Sequence, residues 1–272
     1  MGEVLEQDKQ GHVAWVTLNR PKKLNAMGPG FWTGMAPLFA GIDADAEIRV
    51  VVLRGAGRAF SAGLDLMAMM GVLPIDPSGG PPDGARQAAL HAMIRSMQGA
   101  ITAVARCRVP VIAAIHGPCL GAAVDLATAC DIRYCSSDAF FGVRETRLAM
   151  VADMGTLQRL PAIVGPGRAR ELVFTGRDID AAEADRIGLV DRVLPDPDGL
   201  FDAAGSLAAE IAAQAPLAVQ GAKRVLLEQE RARIDSSLEY VATFNAAHMV
   251  SRDLAAAAAA FMTGTAPEFE GR

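Results

Sequence analysis

The sequence predicts an α/β fold, in which helices cover sheets that are built from short apolar strands. Three short runs rich in valine and isoleucine, Val13–Leu18, residues 50–53 and Val111–Ile115, are bounded by turn residues or charges, as strands are. Amphipathic or alanine-rich stretches over residues 85–106 and 122–129 have the pattern of helices. Strands that alternate with helices along the chain are typical of layered α/β cores.

The first predicted strand covers residues 13–18, and the turn sequence that begins at Asn19 marks its end. Residues 50–53 are an uninterrupted apolar run that is bounded by charge and by Gly55. A run without polar alternation indicates a strand that is buried on both faces. Residues 50–53 are therefore expected to form a buried strand.

The middle of the chain predicts further alternation. Residues 85–106 predict a helix, and the apolar run 111–115 predicts the next strand. Residues 122–129 predict a second helix, which is followed by a strand over residues 131–134. The proline- and glycine-rich segment 71–84 predicts a mobile surface loop.

The C-terminal part of the chain predicts helices only. From about Leu200 the sequence is alanine-rich and contains no strand-forming run. We therefore divide the chain into a core, residues 1–200, and a helical C-terminal region, residues 201–272. Broad alanine and leucine faces suit packing against another subunit or back over a site, although a simple helical cap would show the same periodicity.

The composition is that of a globular protein, since 51% of the 272 residues are hydrophobic and 21% are charged. The net charge is −5 and no run of basic residues is interleaved with aromatic ones, so nucleic-acid binding is not expected. Charged residues or glycines interrupt every apolar run, so a membrane span is not expected either. The acidic N-terminus lacks the pattern of a targeting peptide, and we expect a cytoplasmic protein.

The four cysteines, at positions 107, 119, 130 and 135, lie mostly in apolar surroundings. A structural zinc site would need cysteine pairs at short spacing with histidines nearby, and this arrangement is missing. We expect reduced, packed thiols and no metal.

Two glycine-containing turns predict a site for a negatively charged oxygen. Residues 59–66 join a strand to a short helix, and residues 116–125 open the helix that begins at residue 122. Backbone N–H groups at such helix starts are free, and the helix dipole favours an anion. We expect the two turns to hold one oxygen between them, although either turn alone is equally consistent with ordinary loop glycines.

Two other interpretations of the first turn are weak. Phe60 stands where a dinucleotide-binding fingerprint needs its third glycine, and no helix opens there. Ser61 lacks the Gly-x-Ser-x-Gly elbow of a hydrolase nucleophile and has no obvious histidine partner. Neither class of enzyme is expected.

Three acids, Asp125, Glu145 and Asp153, follow in apolar surroundings that are punctuated by glycine. Carboxylates are costly to hold among apolar groups, and such environments raise their pKa values toward those useful for proton transfer at neutral pH. The acids therefore predict acid–base chemistry on a carbon acid. Simpler roles stay open: Asp153 could cap the next helix and Asp125 could only bind a loop. Glu145 could pair with a neighbouring arginine at the surface.

In the order and spacing of its motifs, the chain resembles the crotonase (enoyl-CoA hydratase/isomerase) superfamily along nearly its whole length. The motifs that carry this resemblance are residues 19–21, 25–27, 58–66, 116–121, 129–133, 140–142 and 175–190. The resemblance implies a spiral of ββα units with a helical C-terminal region that forms homotrimers, which commonly pair into hexamers. It also implies an acyl-CoA thioester as substrate and no separate cofactor, because coenzyme A is part of the substrate.

By the same resemblance, the thioester oxygen is held by the backbone N–H groups of Leu64 and Ala122. The residues implied in binding the substrate and its CoA are Ala26, Ala62, Gly63, Asp65 and Leu66. The chain departs from the family after Gly121, because many members have further glycines where this chain has Ala122 and Ala123. Two methyl groups are therefore expected to border the pocket.

Within the superfamily, acids at positions 125, 145 and 153 are most similar to those of Δ3,5-Δ2,4-dienoyl-CoA isomerases, enzymes of unsaturated fatty-acid breakdown. Moving the diene into conjugation removes a proton at C2 and returns one at C6, carbons about four bonds apart, so one carboxylate cannot easily serve both. The resemblance implies that Glu145 is the base at C2 and Asp153 the acid at C6. Asp125 would orient or tune Glu145.

Two alternatives stay open. In an enoyl-CoA hydratase, Asp125 and Glu145 would hold an attacking water, although hydratases of the family usually carry a glutamate at position 125 and a glycine at position 153. A non-catalytic acyl-CoA-binding paralogue would keep the fold alone. The basic residues Arg20, Lys22 and Lys23 could meet the phosphates of CoA or form a solvated turn.

Overall fold

The computed structural model describes residues 4–73 and 83–271. The strands in these ranges are β1 (Leu5–Gln10), β2 (Val13–Leu18), β3 (Val50–Gly55), β4 (Val111–Ile115), β5 (Pro118–Leu120), β6 (Ile132–Ser136), β7 (Phe140–Gly142), β8 (Asp178–Asp180) and β9 (Arg192–Leu194). The helices are α1 (Pro29–Ala44), α2 (Leu66–Met70), α3 (Gly84–Ala105), α4 (Ala122–Ala129), α5 (Thr156–Val164), α6 (Pro166–Thr175), α7 (Ala181–Arg186), α8 (Pro197–Ala212), α9 (Pro216–His248) and α10 (Arg252–Thr263). Most of the predicted loop 71–84 lies outside the described residues.

The larger sheet has the strand order β1-β2-β3-β4-β6-β9. β1 is antiparallel to β2, and the other neighbours are parallel. The register sets Val16 opposite Leu53 and Leu53 opposite Ala113, and all three side chains are fully buried. Because these parallel strands are covered on both faces, their sequences are continuous apolar runs.

The smaller sheet has the strand order β5-β7-β8. Its strands β5 and β7 follow β4 and β6 in the sequence. β4 continues into β5, and β6 continues into β7, so each turn of the chain adds one strand to each sheet. β4 pairs with β6 and β5 with β7 in parallel. Successive turns therefore stack as a spiral, and the predicted helix α4 completes a ββα unit after β5, as the family resemblance implied.

The two faces of the larger sheet bury separate apolar clusters. One face packs on α8, whose small residues Ala204, Ala208 and Ala212 recur every four positions and contact a cluster that includes Trp15 and Val50. The other face belongs to the main core, to which α1, α3 and α4 contribute. Since α8 begins at residue 197 and covers the sheet, the predicted boundary at residue 200 falls inside a helix of the core.

The C-terminal helices fold back onto the core. The 33-residue α9 packs along α3, and α10 reaches the turn that follows β7. The helical prediction for this region is confirmed up to Thr263 but is wrong for residues 264–271, because Gly264 adopts a positive φ of 69° and ends α10. Within residues 4–73 and 83–271, no helix is both long and apolar enough to cross a bilayer.

The four cysteines are buried free thiols, as expected from their apolar surroundings. Burial raises the pKa of the Cys107 and Cys130 thiols to about 12. These thiols pack as small apolar groups and stay protonated near neutral pH.

Candidate active site

A cavity of about 560 Å³ opens between the two glycine turns, α3 and the C-terminal helices. Its walls are largely apolar, and leucine, methionine and isoleucine side chains from α2, α3 and the segment 148–154 supply most of them. The three sequence-predicted acids, Asp125, Glu145 and Asp153, all line this cavity. Residues 125, 145 and 153 are therefore brought together at one site, in an apolar environment where a carboxylate is costly.

The two predicted oxyanion turns lie side by side at one end of the cavity. The backbone N–H of Ser61 donates to Pro118 (3.0 Å), and the N–H of Leu120 donates to Ser61 (3.2 Å). Leu64 and Ala122, which follow these contacts, both line the cavity. In the described part of the chain, neither of their backbone N–H groups donates to a protein acceptor. Both groups are thus available to a ligand oxygen.

The first turn is held rigidly from behind. The Ser61 hydroxyl donates to the Asn25 carbonyl (2.9 Å) and accepts from the Gly63 N–H (3.1 Å). The Asn25 side chain in turn donates to the Ala59 carbonyl (2.7 Å), and the Met27 N–H donates to Gly63 (2.7 Å). These bonds fix the direction of the Leu64 N–H before any ligand arrives, which is what oxyanion stabilisation requires.

The second turn shows how the alanine substitutions are accommodated. Gly121 keeps a positive φ of 54°, and Ala122 begins α4 with its side chain at the cavity. Ala123 is fully buried in the main core. One methyl group therefore borders the cavity, and the expectation of two was wrong, because successive side chains on a helix point in different directions.

The other predicted binding residues divide into two groups. Ala26, Ala62 and Leu66 line the cavity, whereas Gly63 contributes its backbone behind Leu64. Asp65 does not line the cavity.

The Asp65 side chain stabilises the turn instead of facing the cavity. It accepts from Arg20 (2.9 Å), lies 3.5 Å from Lys23 and caps α2 by accepting from the Ala68 N–H (3.1 Å). Burial raises the pKa of Asp65, but the bonds from Ala68 and Arg20 outweigh it and lower the pKa below its usual value. Arg20, one of the basic residues considered for CoA, is therefore engaged with Asp65.

Glu145 begins a short 3₁₀ turn, Glu145–Leu148, directly after the strand β7. Its Oε1 lies 3.4 Å from the point that a Cβ on Gly121 would occupy. Its Oε2 is buried and has no hydrogen-bond partner among the described residues. Arg144 binds Asp178 instead, and among the described residues neither Arg144 nor Arg147 forms an ion pair with Glu145, so the surface ion pair considered for Glu145 is contradicted. Burial and, secondarily, the charge of Asp125 raise the pKa of Glu145 to about 8.

Asp125 lies in the first turn of α4 and is almost completely buried. Its Oδ1 accepts a hydrogen bond of 2.5 Å from the backbone N–H of Thr156, the first residue of α5. Burial raises the pKa of Asp125 to about 6, and the bond from Thr156 opposes that rise. The helix-capping role considered for Asp153 thus belongs to Asp125, which also faces the cavity.

Asp153 lies in the segment before α5 and is buried. Its Oδ2 accepts from the Asn245 side chain at 2.7 Å, and its backbone carbonyl accepts from the Gln98 side chain at 2.7 Å. Burial raises the pKa of Asp153 to about 7, and the bond from Asn245 acts in the opposite direction. Asp153 is therefore held by α3 and α9 and does not cap α5.

Sequence reasoning missed the residues that hold the acids. Asn245 and Gln98 lie 92 and 55 positions from Asp153, and both are buried amides. Amide side chains are usually exposed in proteins. An amide on the apolar face of a predicted helix is therefore the sequence signal that points to such residues. The wall residues Met249 and Phe261 were likewise missed, because they reach the cavity only when α9 and α10 fold back.

The structure combines a stacked spiral of ββα units with two free backbone N–H groups and three acids that line one cavity. This combination defines the crotonase class of fold. A family model described as enoyl-CoA hydratase/isomerase matches residues 8–272. The chain therefore belongs to the enoyl-CoA hydratase/isomerase family.

The relatives and solved structures agree with this assignment. The peroxisomal Delta(3,5)-Delta(2,4)-dienoyl-CoA isomerase of Arabidopsis thaliana is 42% identical, over 98% of this chain and 96% of that protein. The mitochondrial protein of the same name from Homo sapiens is 47% identical, over 90% of this chain and 74% of its own length. A crystal structure of an enoyl-CoA hydratase/isomerase from Pseudoalteromonas atlantica T6c matches with a TM-score of 0.85 and 28% identity, over 98% of this chain and 100% of that one.

Proposed function

We propose that this chain isomerises a 3,5-dienoyl-CoA to the conjugated 2,4-dienoyl-CoA by transferring protons between carbon and two carboxyl groups. The observation that carries this proposal is the presence of Asp153 in the same apolar cavity as Glu145, with the pKa values of both raised to near neutral pH. Groups that titrate near the operating pH are effective general acids and bases. The names of the Arabidopsis and human relatives support the same reaction.

The thioester oxygen is bound by the N–H groups of Leu64 and Ala122. Removing a proton from C2 makes a dienolate, whose negative charge is shared with this oxygen. Two fixed donors stabilise that charge, and each good oxyanion donor lowers the barrier by about 3–4 kcal/mol. The side chains Ala26, Ala62 and Leu66, which line the same end of the cavity, would contact the thioester and the adjoining part of CoA.

Glu145 is the base at C2. Its carboxyl group lies against Gly121, whose neighbour Ala122 supplies one oxyanion donor, so it faces the carbon next to the thioester. Its buried and unpartnered Oε2 has no donor to satisfy it as an anion, which favours uptake of a proton.

Asp153 is the acid at C6. Its hydrogen bonds come from Asn245 on α9 and Gln98 on α3, and not from the turns that bind the thioester oxygen. This position suits a contact with the end of the diene that is far from the thioester. The reaction is balanced: the C2–H bond breaks and Glu145 takes the proton, while a C6–H bond forms with the proton of Asp153. One proton must then pass from Glu145 to Asp153, directly or through water, before the next turnover. No redox or metal chemistry is required, so coenzyme A within the substrate is the only non-protein group proposed.

Asp125 tunes Glu145. Its Oδ1 is already bonded to the Thr156 N–H, and its charge is the second cause of the raised pKa of Glu145. In the hydratase alternative, Asp125 and Glu145 would hold a water together. Asp125 is less suited to this role, because its carboxyl group caps α5. A non-catalytic paralogue has no need of three acids in an apolar cavity, where a carboxylate costs stability.

We also propose a homotrimer, or a hexamer made of two trimers, assembled through residues 201–272. Large apolar side chains on α9 and α10 are exposed in the single chain, including Leu217 (84%), Tyr240 (72%) and Phe261 (57%). Exposed apolar surface of this kind is typical of interfaces. Sedimentation velocity would test the proposal, and a monomer would contradict it. Cytoplasmic residence stays a prediction, and the names of the two cited relatives place those proteins in peroxisomes and mitochondria.

The test of the reaction is a paired assay. Purified protein is given 3,5-dienoyl-CoA in one cuvette, where absorbance of the conjugated product rises, and 2-enoyl-CoA in the other, where hydration removes absorbance. We expect the first reaction to be fast and the second slow. Asp153→Asn should lower the isomerase rate by about 10²–10⁴-fold, since that is the usual contribution of a general acid.

The matched control is Asp185→Asn, which removes an exposed acid on α7. It should leave both rates unchanged. Fast hydration without dienoyl isomerisation, unaffected by Asp153→Asn, would instead support the hydratase. No turnover of either substrate, together with tight binding of CoA thioesters, would support the non-catalytic binder.

A further inference from the structure

Asp153 is joined to the C-terminal helix α9 through one side chain. Asn245 Nδ2 donates to Asp153 Oδ2 (2.7 Å) and to the backbone carbonyl of Val151 (2.9 Å). Because a carbonyl oxygen can only accept, the atom that faces Val151 must be the amide nitrogen. The Val151 contact therefore fixes the orientation of the amide group, which is otherwise ambiguous in amide side chains.

This orientation distinguishes the two oxygens of Asp153. An amide nitrogen has two hydrogens and no acceptor, and both hydrogens are engaged here. Oδ2 thus accepts a hydrogen bond from Asn245 whether Asp153 is ionised or neutral. A proton on Oδ2 would compete with the amide hydrogen of Asn245, so Oδ1 is the favoured position for the proton. Among the described residues no other side chain donates to the carboxyl group of Asp153, and Asp153 lines the cavity.

We infer that Asn245 is a positioning residue, which keeps the transferable proton of Asp153 on Oδ1 and turns that oxygen toward the substrate. The inference rests on the function proposed above and goes beyond it, because it assigns a role in the reaction to the C-terminal region. A second buried amide supports the same segment, since Gln98 Nε2 donates to the carbonyls of Asp153 (2.7 Å) and Leu238 (3.0 Å). Leu238 and Asn245 are both on α9, so this helix holds the side chain of the acid directly and its backbone through Gln98 of α3.

The charged groups around Asp153 are few. From α4 and from the turn after β7, Asp125 and Glu145 face it across the cavity. From α3, Arg95 donates to the Gln98 Oε1 (2.6 Å) and not to the carboxyl group. From α5, Arg159 lies beside Asp125.

Because the carboxyl group of Asp153 accepts its side-chain hydrogen bond from Asn245, this residue is the main stabiliser of its ionised form. Loss of the bond should therefore raise the pKa of Asp153 further. A hydrogen bond to a charged group stabilises the charged form, and its loss is expected to shift the pKa of that group by about one to two units.

The experiment compares Asn245→Leu with Val241→Ala, a variant of a buried residue one turn earlier on the same helix, which has no polar side chain to contact Asp153. Asn245→Ala is made as a second, less crowded variant in case the leucine variant does not fold. The carboxyl carbon of Asp153 is followed by ¹³C NMR in the free enzyme over a range of pH, with Asp153→Asn used to assign its signal. The same proteins are assayed with 3,5-dienoyl-CoA.

We expect the Asn245 variants to raise the titration midpoint of Asp153 by about one unit. The pH optimum of kcat/KM lies midway between the pKa values of Asp153 and Glu145, so it should move upward by about half of that shift. We expect kcat to fall at least about 10-fold with little change in KM, because orientation of the acid is lost. Val241→Ala should change neither the midpoint nor the pH optimum.

An unchanged Asp153 midpoint in a folded Asn245 variant would overturn the inference. So would a raised midpoint with an unchanged kcat, since the residue would then tune the acid without positioning it for the reaction. If the wild-type enzyme does not turn over 3,5-dienoyl-CoA at all, the proposed function fails and this positioning role fails with it. The NMR titration would still show whether Asn245 controls Asp153, so the two failures are distinguishable.

Discussion

A Cβ on Gly63 would lie 2.2 Å from the carbonyl oxygen of Leu120, so the two oxyanion turns touch at a point that only glycine can occupy. The same contact brings the free N–H groups of Leu64 and Ala122 to one end of the cavity. Gly63 also has a positive φ of 84°. The spacing of the two donors is thus set by one backbone contact between segments that are far apart in the sequence.

Gly63→Ala is predicted to separate the turns. The added methyl group would push against backbone, which cannot give way cheaply, so we expect kcat to fall by about 10²–10³-fold, as when an oxyanion donor is lost. The control is Gly11→Ala, at a position with a φ of 59° and no atom within 4 Å of the added Cβ. It should cost about 1–2 kcal/mol of stability without lowering kcat. Equal effects on kcat would contradict the role of the contact.

The rate of the wild-type enzyme should have a bell-shaped dependence on pH. Reaction requires Glu145 to be ionised and Asp153 to be protonated, and their pKa values are raised to about 8 and about 7. At low pH both are protonated and at high pH both are ionised, so kcat/KM should be largest between the two extremes, near a pH of about 7–8. A profile that rises without a maximum up to a pH of about 10 would contradict the need for a protonated acid.

Glu145→Gln is predicted to inactivate the enzyme and to stabilise it in alkaline solution. The pKa of Glu145 is raised from 4.5 to about 8, so between these values the native state binds a proton that the unfolded state has lost. Stability from this group is present below 4.5 and is lost as pH rises through about 8. The variant should exceed the wild type by on the order of 4 kcal/mol at a pH of about 8 and by little at a pH of about 4.

Urea unfolding at these two pH values would check this prediction. Glu210→Gln is the matched control, because Glu210 is exposed on α8. It should show no pH-dependent difference from the wild type. A Glu145→Gln variant that is less stable than the wild type at alkaline pH would show that the carboxylate has a partner in the native enzyme.

Asp125 should respond differently to two substitutions, because it caps a helix and also carries a charge. Asp125→Asn keeps an acceptor for the Thr156 N–H, whereas Asp125→Ala leaves that N–H unpaired and should cost about 1–2 kcal/mol more in thermal or urea unfolding. Both remove the charge that raises the pKa of Glu145, so the pH optimum of kcat/KM should move to lower pH in any variant with residual activity. An unmoved optimum would show that Asp125 only caps α5.

Much of the local structure could be predicted from the sequence. The run Val111–Ile115 and the helix Ala122–Ala129 have the predicted bounds, because apolar continuity and helical periodicity depend on neighbours in the chain. The short strands β5, β7 and β8 were not predicted, since three-residue strands are too short to show a pattern. Their pairing, and not their composition, makes them strands.

The sequence by itself determined the chemistry that is available: three acids in apolar surroundings, and two glycine turns that can free a backbone N–H. These are local properties, set by residue type and by nearest neighbours. Only the tertiary structure decided which groups meet. Asp125 capping Thr156, and Asn245 holding Asp153 from 92 positions away, depend on how α4, α5 and α9 pack. Periodicity shows that such helices have a buried face, but the contacts of a buried polar side chain depend on the distant element that covers it.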